Sequence, residues 1–295
     1  MKNEYTVAGG TEKTGIKEYM ENSLQLSSRR IKKLLKEKKI TINGKTAYWD
    51  NTVRGGDLLT VDLAEKIETQ IIPQDIPVEV LYEDGFLLAV NKPPYRLMHP
   101  TANHDRDTLG NALRYYFDLH GIQAPVRFLS RLDMNTSGAV IVPKQAEIHS
   151  KLMLQLEQKK IQKKYLAVVE GIVVPAEGTI NEPIGADPAN HIKRAVSEAG
   201  AEAVTLYNTV KALREAALLE VVIITGRTHQ IRVHMSHIGH PIIGDELYGT
   251  ESSVISRQAL HAYSISFEHP ATGEKINVEA PVPDDMKKLI AVLSE

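Results

Sequence analysis

From Val78 onward the chain is a succession of short β-branched runs, and that pattern limits the folds open to it more than any other feature. VEVLYEDGFLLAVNKP reads as two strands about an Asp84-Gly85 turn, and KYLAVVEGIVV, EAVTLYNTV and LLEVVIITG read as further strands. Helical spacing predicts helices over Thr108 to Leu119 and Ala146 to Gln158. Strands outnumber helices and do not alternate with them regularly. The expected class is therefore α+β, with a large mixed or antiparallel sheet instead of a doubly wound parallel one. With 295 residues the chain has room for a large domain and a small one.

The small one precedes Val78. Ser28 can cap a short helix whose apolar positions, Ile31, Leu34 and Leu35, share a face and leave Arg29, Arg30, Lys32, Lys33 and Lys36 outward. In KITINGKTAYW, Ile40 and Ile42 alternate with polar residues, and Asn43-Gly44 suits the positive backbone angles of a tight hairpin. GGDLLTVDL, Gly55 to Leu63, closes the unit as another strand, and AEKIETQIIPQDIP, Ala64 to Pro77, reads as a linker. Net charge is only −2, yet Ser27 to Lys39 carries seven Lys or Arg against one Glu. This local basic face is either a solvated surface or a nucleic-acid contact.

The N-terminus lacks the apolar run of a signal peptide, and the longest apolar stretch, Ala216 to Ile224, is broken by Glu220. A soluble, cytoplasmic protein is expected. The absence of cysteine removes disulfides, thiolate zinc sites and a cysteine nucleophile together, leaving oxygen and nitrogen groups to do any chemistry.

Three stretches put such groups at the ends of apolar strands, where a sheet can hold a side chain still and leave its tip accessible. In RFLSRLDMNTSGAVIVPK, Asp133 stands between Leu132 and Met134, just before a buried strand over Gly138 to Val142. It is either a turn cap or ion-pair partner, or a nucleophile. The second stretch is QKKYLAVVEG with Tyr165, and the third is ITGRTHQIRVHMSHIGHPIIGDELYG with Arg227. His229, His234, His237 and His240 lie close together in the third, but there is no HExxH pattern, and hydroxyls or backbone could satisfy the rings equally well. Thr136 and Ser137 read as a turn, and no nucleophile elbow supports a Ser-His-Asp hydrolase.

These stretches, with NKPPYRLMHP and LHAYSISFEHPATGE, resemble the RluA/RluD type of RNA pseudouridine synthase. The opening stretch is similar to the family's HRLDxxTSG, Tyr165 to the tyrosine of KxYLAxVxG, and Gly226 to His234 to GRTHQIRVH. The likeness runs from about Val78 to Met286. The basic helix, INGK and GGDLLTV resemble an alpha-L RNA-binding module over roughly Ser23 to Leu63. The layout implied is a module at 14–63, a linker at 64–77 and a catalytic domain at 78–295. Ser130, Pro143 and Tyr95 depart from the family's usual histidine, small residue and glycine. Tyrosine at 95 resists the backbone angles that glycine there would permit.

The resemblance implies isomerisation of specific uridines in structured RNA. The base is detached from ribose, turned and rejoined through carbon 5, with no cofactor and no metal. Asp133 becomes the catalytic carboxylate, acting by an adduct at the sugar, an adduct at the base, or cleavage through a glycal. Arg227 is expected to form a salt bridge to it, favouring the ionised form and fixing its orientation. Tyr165 is expected to stack on the extruded uracil and accept the carbon 5 proton. Arg131 would slide into the space left by the flipped base, with Leu260 also on the substrate side. Arg29, Arg30, Lys32, Lys33 and Lys36 would meet phosphates. The partner implied is RNA, ribosomal ahead of transfer RNA, with no membrane partner, and the protein is expected to act as a monomer. One rival is a non-catalytic RNA-binding or ribosome-assembly factor that keeps the fold and has lost turnover, and the intact Asp-Tyr-Arg set argues against it. A glycosidase would need a second carboxylate across the bond, and none lies in a matching motif.

Overall fold

Asn43 and Gly44 both take positive φ, 49° and 78°, and fold Ile40–Ile42 back on Lys45–Thr46 as the sequence predicts. The computed structural model describes residues 2–24, 26, 28–62 and 71–295. The chain divides into two compact units, Met1–Glu68 and Thr69–Glu295.

In chain order the first unit comprises β1 (Lys2–Thr6), β2 (Thr14–Gly15), α1 (Ile16–Leu24), α2 (Ser28–Lys36), β3 (Ile40–Ile42), β4 (Lys45–Thr46), β5 (Thr52–Val53) and β6 (Leu58–Asp62). Four strands form one sheet in the order β1-β6-β3-β4. Ile31, Leu34 and Leu35 of α2 are buried with Ile16 and Met20 of α1, while Lys32, Lys33 and Lys36 face solvent. Arg30 is half-buried, and the side chain of Arg29 lies outside the described residues. Ser28 does not cap the helix from outside. It is the first helical residue, and its hydroxyl donates to the Glu21 carboxylate. Strand β1 and helix α1 were not legible: β1 is a lone edge strand held by register with β6, with Tyr5 opposite Leu59. Residues 64–70 of the expected linker lie outside the described residues, and 71–77 contain no helix or strand.

The second unit runs β7 (Glu79–Glu83), β8 (Leu87–Lys92), α3 (Leu109–Leu119), β9 (Ser137–Pro143), α4 (Ala146–Glu157), β10 (Gln162–Glu170), β11 (Glu177–Asn181), β12 (Ile184–Asp187), β13 (Asn190–Val196), β14 (Val204–Leu213), β15 (Ala216–Ile223), α5 (Gln230–His237), β16 (Leu260–Glu268), β17 (Lys275–Glu279) and α6 (Asp284–Val292). Its main sheet has nine strands in the order β11-β14-β15-β10-β16-β9-β8-β7, with β17 beside β16. All neighbours are antiparallel except β9 and β16. This is the α+β class with a mixed sheet that the strand pattern predicts. Thr108 caps α3 in a reciprocal box with Asn111, so the expected helix begins one residue later than its cap.

Strand β9 is buried along its whole length, as a strand covered on both faces should be. At its start, Gly138 has φ +123°, and a Cβ there would come within 2.2 Å of the Ala262 carbonyl oxygen. Only glycine lets β9 lie this close to β16. That contact fixes the strand that carries the Asp133 turn at its N-terminal end.

Candidate active site

Asp133 lies in the turn leading into β9, and the carbonyls of residues 133 to 135 each have a donor. Its own carbonyl accepts from Thr136 N at 3.1 Å. The Met134 carbonyl accepts from Lys92 Nζ at 2.8 Å and from Arg96 N at 3.2 Å. The Asn135 carbonyl accepts from Arg257 Nη1 at 3.1 Å. Lys92 is fully buried and also donates to the Pro93 and Arg96 carbonyls, each at 2.9 Å. Arg257 is buried too, and clasps Asp285 of α6 through Nε and Nη2 at 2.6 and 2.9 Å. Two buried cations therefore hold the backbone on which the carboxylate stands. Burial, and then the nearby Arg257 charge, bring the Lys92 pKa down to about 7.

The carboxylate itself does not cap the turn. Its Oδ2 accepts from Arg232 Nη1 at 3.2 Å and lies 4.0 Å from His229 Nε2. The bridge expected from Arg227 is thus made by Arg232. Arg227 sits in the turn before α5 and spends its Nε on the Glu202 carbonyl at 2.8 Å. Gln230 staples that turn to β14: its side-chain oxygen accepts from Arg227 N, and its amide donates to the Val204 carbonyl and the Thr205 hydroxyl. Arg232, in the first turn of α5, faces Asp133 instead. Both arginines fall within one nine-residue motif, and spacing alone does not say which faces the aspartate. The later Asp245 is the feature that separates them.

Asp245 is completely buried as a side chain, and it takes Nε and Nη2 of Arg232 in a two-pronged grip, both at 2.7 Å. Its Oδ1 also accepts from the backbone of Leu247 and Tyr248. Burial works against the Arg232 charge, but the Asp245 hydrogen bonds and charge outweigh it, with help from Asp133, and raise the guanidinium pKa. Arg232 is therefore a fixed cation with one nitrogen left for Asp133.

His229 belongs to this set, and the sequence offered it only as a metal candidate. It holds φ +58° at the N-terminus of α5, and its Nδ1 shares a hydrogen bond with the Tyr248 hydroxyl at 2.8 Å. Burial lowers its pKa against the pull of Asp133, which keeps the ring neutral. The other histidines turn elsewhere. His234 meets Thr205 and the Glu182 carbonyl, and His240 meets the Glu170 carbonyl. Among the described residues no three His, Cys, Asp or Glu side chains are grouped as metal ligands.

A cavity of about 750 Å³ opens beside Asp133, and Arg131, Tyr165, Arg227, His229, Arg232 and Leu260 all line it. Tyr165 and Leu260 are buried in its wall, while Arg131 is exposed. Burial, and then the Asp133 charge, raise the Tyr165 pKa, so the phenol rests protonated. Tyr95 does adopt the left-handed backbone that its side chain resists, with φ +60°, and its phenol shares a 2.7 Å hydrogen bond with Ser256. The cavity offers an apolar, aromatic wall for a flat base and one carboxylate held by a buried cation.

Comparison with known proteins decides what such a cavity belongs to. Residues 87–237 match the family described as RNA pseudouridylate synthase. The chain belongs to this family. It is 38% identical over 272 residues to the uncharacterized RNA pseudouridine synthase YhcT of Bacillus subtilis, covering 92% of this chain and 90% of that one. It is 38% identical over 285 residues to the ribosomal large subunit pseudouridine synthase D of Xanthomonas campestris, covering 92% and 86%. Among solved structures it is similar to human RNA pseudouridylate synthase domain containing 4, with TM-score 0.60, 25% identity and coverage of 73% and 92%. The chain is an RNA pseudouridine synthase, an isomerase. No helix among the described residues is long and apolar enough to cross a membrane.

Proposed function

We propose that this enzyme converts uridines of large-subunit ribosomal RNA to pseudouridine, with Asp133 as the catalytic carboxylate. The observation that carries the reading is the meeting of Asp133 and Tyr165 on one cavity wall, with Arg232 bound to the carboxylate. The target follows relatives such as the large subunit synthase D of Xanthomonas campestris.

In this reading the target uridine leaves its stack and enters the cavity, where Tyr165 meets the uracil face. The bond between ribose C1′ and uracil N1 breaks, the base turns, and C1′ joins carbon 5. Carbon 5 loses its proton and N1 gains one, so the product is an isomer of the substrate. Asp133, held by Arg232, attacks the sugar or the base, or supports cleavage through a glycal. The phenol of Tyr165, protonated at rest, takes the carbon 5 proton as it hands its own to water in the cavity, and water returns one proton to N1, so the proton count is unchanged. Arg131, exposed at the cavity, fills the place of the departed base. The N-terminal unit is an alpha-L type module whose exposed Lys32, Lys33 and Lys36 meet phosphates.

Chemical mapping of pseudouridines in total RNA from cells with and without the gene tests this. Loss of one or more sites in large-subunit ribosomal RNA is expected. An unchanged map would favour a non-catalytic RNA-binding factor, and loss confined to transfer RNA would move the substrate.

A further inference from the structure

Lys163 occupies the wall of the same cavity, two residues before Tyr165 on β10. The two side chains share a face of the strand, about 7 Å apart. Lys163 is only 7% exposed, and among the described residues no carboxylate or carbonyl meets its amine, which faces the cavity. The other deeply buried lysine, Lys92, meets three carbonyls, and neighbouring Lys164 pairs with Glu220 at 3.0 Å. The Lys163 amine points under Gly226, where a Cβ would stand 3.5 Å from Nζ, so the missing side chain leaves the amine open to the cavity. Nearby Lys159 is engaged with Glu202 at 3.5 Å, and Glu157, the other acid on the wall, does not reach Lys163.

The stem of Lys163 is buried while its amine meets only the cavity, and a largely desolvated ammonium of this kind is a ready site for an anion. Burial lowers the Lys163 pKa, and no neighbouring charge restores it. The uracil that stacks at Tyr165 is neutral, so the anion must come from another part of the substrate. We infer that Lys163 receives a phosphodiester oxygen of the RNA strand beside the extruded uridine, completing a cavity that holds base and backbone at once. The strand spacing between Lys163 and Tyr165 suits one nucleotide laid with its base on the ring and its phosphate at the amine. This inference rests on the reading of the cavity as the uridine site.

The test uses the full chain as wild type, Lys163→Met and Lys163→Arg, with an unmodified large-subunit ribosomal RNA transcript as substrate. Pseudouridine formation is followed at several salt concentrations. Lys163→Met should raise KM about tenfold to a hundredfold, the cost of a lost charged hydrogen bond, with kcat little changed. Its slope of log KM against log salt should flatten by about 0.7 to 0.9, one phosphate contact. Lys163→Arg should keep the wild-type slope. Free of RNA, Lys163→Met should melt no lower than wild type, because it removes an unpaired buried charge; a structural lysine would show the opposite. An active wild type with an unchanged slope in Lys163→Met, or a marked loss of stability in that variant, overturns the phosphate contact alone. A wild type that forms no pseudouridine in this transcript or in total cellular RNA overturns the uridine site and, with it, the inference.

Discussion

Arg232 meets Asp133 through a single nitrogen, Nη1, at 3.2 Å, while its other two nitrogens are committed to Asp245. The Asp133 carboxylate is therefore oriented by a cation that cannot swing away to follow it. Arg232→Lys loses this fork and should lower kcat on the order of a hundredfold, as expected for a small misplacement of a reacting group. Arg227→Lys should leave kcat nearly unchanged. Single-turnover assays of the two variants make the comparison, and the reverse order of effects would return the orienting role to Arg227.

Lys92 bears on the same turn from below. Lys92→Met leaves the carbonyls of Pro93, Arg96 and Met134 without their shared donor. The Met134 carbonyl keeps its bond from Arg96 N, but the other two lose a donor, and urea unfolding should show a loss of about 2 kcal/mol, since unsatisfied acceptors outweigh the relief of burying an amine. Unchanged stability would mean that water or a rearranged loop replaces the lysine.

The pH dependence of stability has a definite sign. His234 and His261 are fully buried, and burial lowers the pKa of both. Below the unfolded value of about 6.5 the unfolded chain takes up protons that the native rings refuse. Stability is thus full above that pH and falls as pH drops toward the lowered native values. Melting temperatures measured between about pH 7.5 and 5 should decline, and His261→Gln should flatten the decline. A flat wild-type profile would contradict the neutral, buried state of these rings.

Much of this was readable beforehand because it rests on local rules. Asn43-Gly44 sets its own hairpin, Thr108 starts its own helix, and the fully apolar run after Gly138 had to be a covered strand. Asp133 and Tyr165 stood in motifs that the resemblance picks out, and both line one cavity. The partner of Asp133 was not readable, because 99 residues separate it from Arg232 and the choice between Arg227 and Arg232 depends on how α5 enters its turn. Helix α5 itself was hidden among histidines that suggested metal ligands. Lys92 and Arg257 were equally invisible, since a buried cation satisfied by carbonyls has the same sequence signature as a surface one.

The proposed mechanism gives Tyr165 two separable jobs. Tyr165→Phe keeps the aromatic face and should bind RNA almost normally. Without the hydroxyl it should release the carbon 5 proton about a hundred- to ten-thousandfold more slowly, the usual range for a general base. Binding and release rates measured on the same variant decide the matter, and wild-type release would reduce Tyr165 to a stacking surface.

The role of Asp133 is tested most directly with ribosomal RNA transcript carrying tritium at carbon 5 of uridine, because label reaches water only when the new bond has displaced that proton. Wild-type protein should release tritium, and Asp133→Asn should release none above background while binding the transcript with nearly wild-type affinity. Release by Asp133→Asn at the wild-type rate would contradict a catalytic carboxylate at this position.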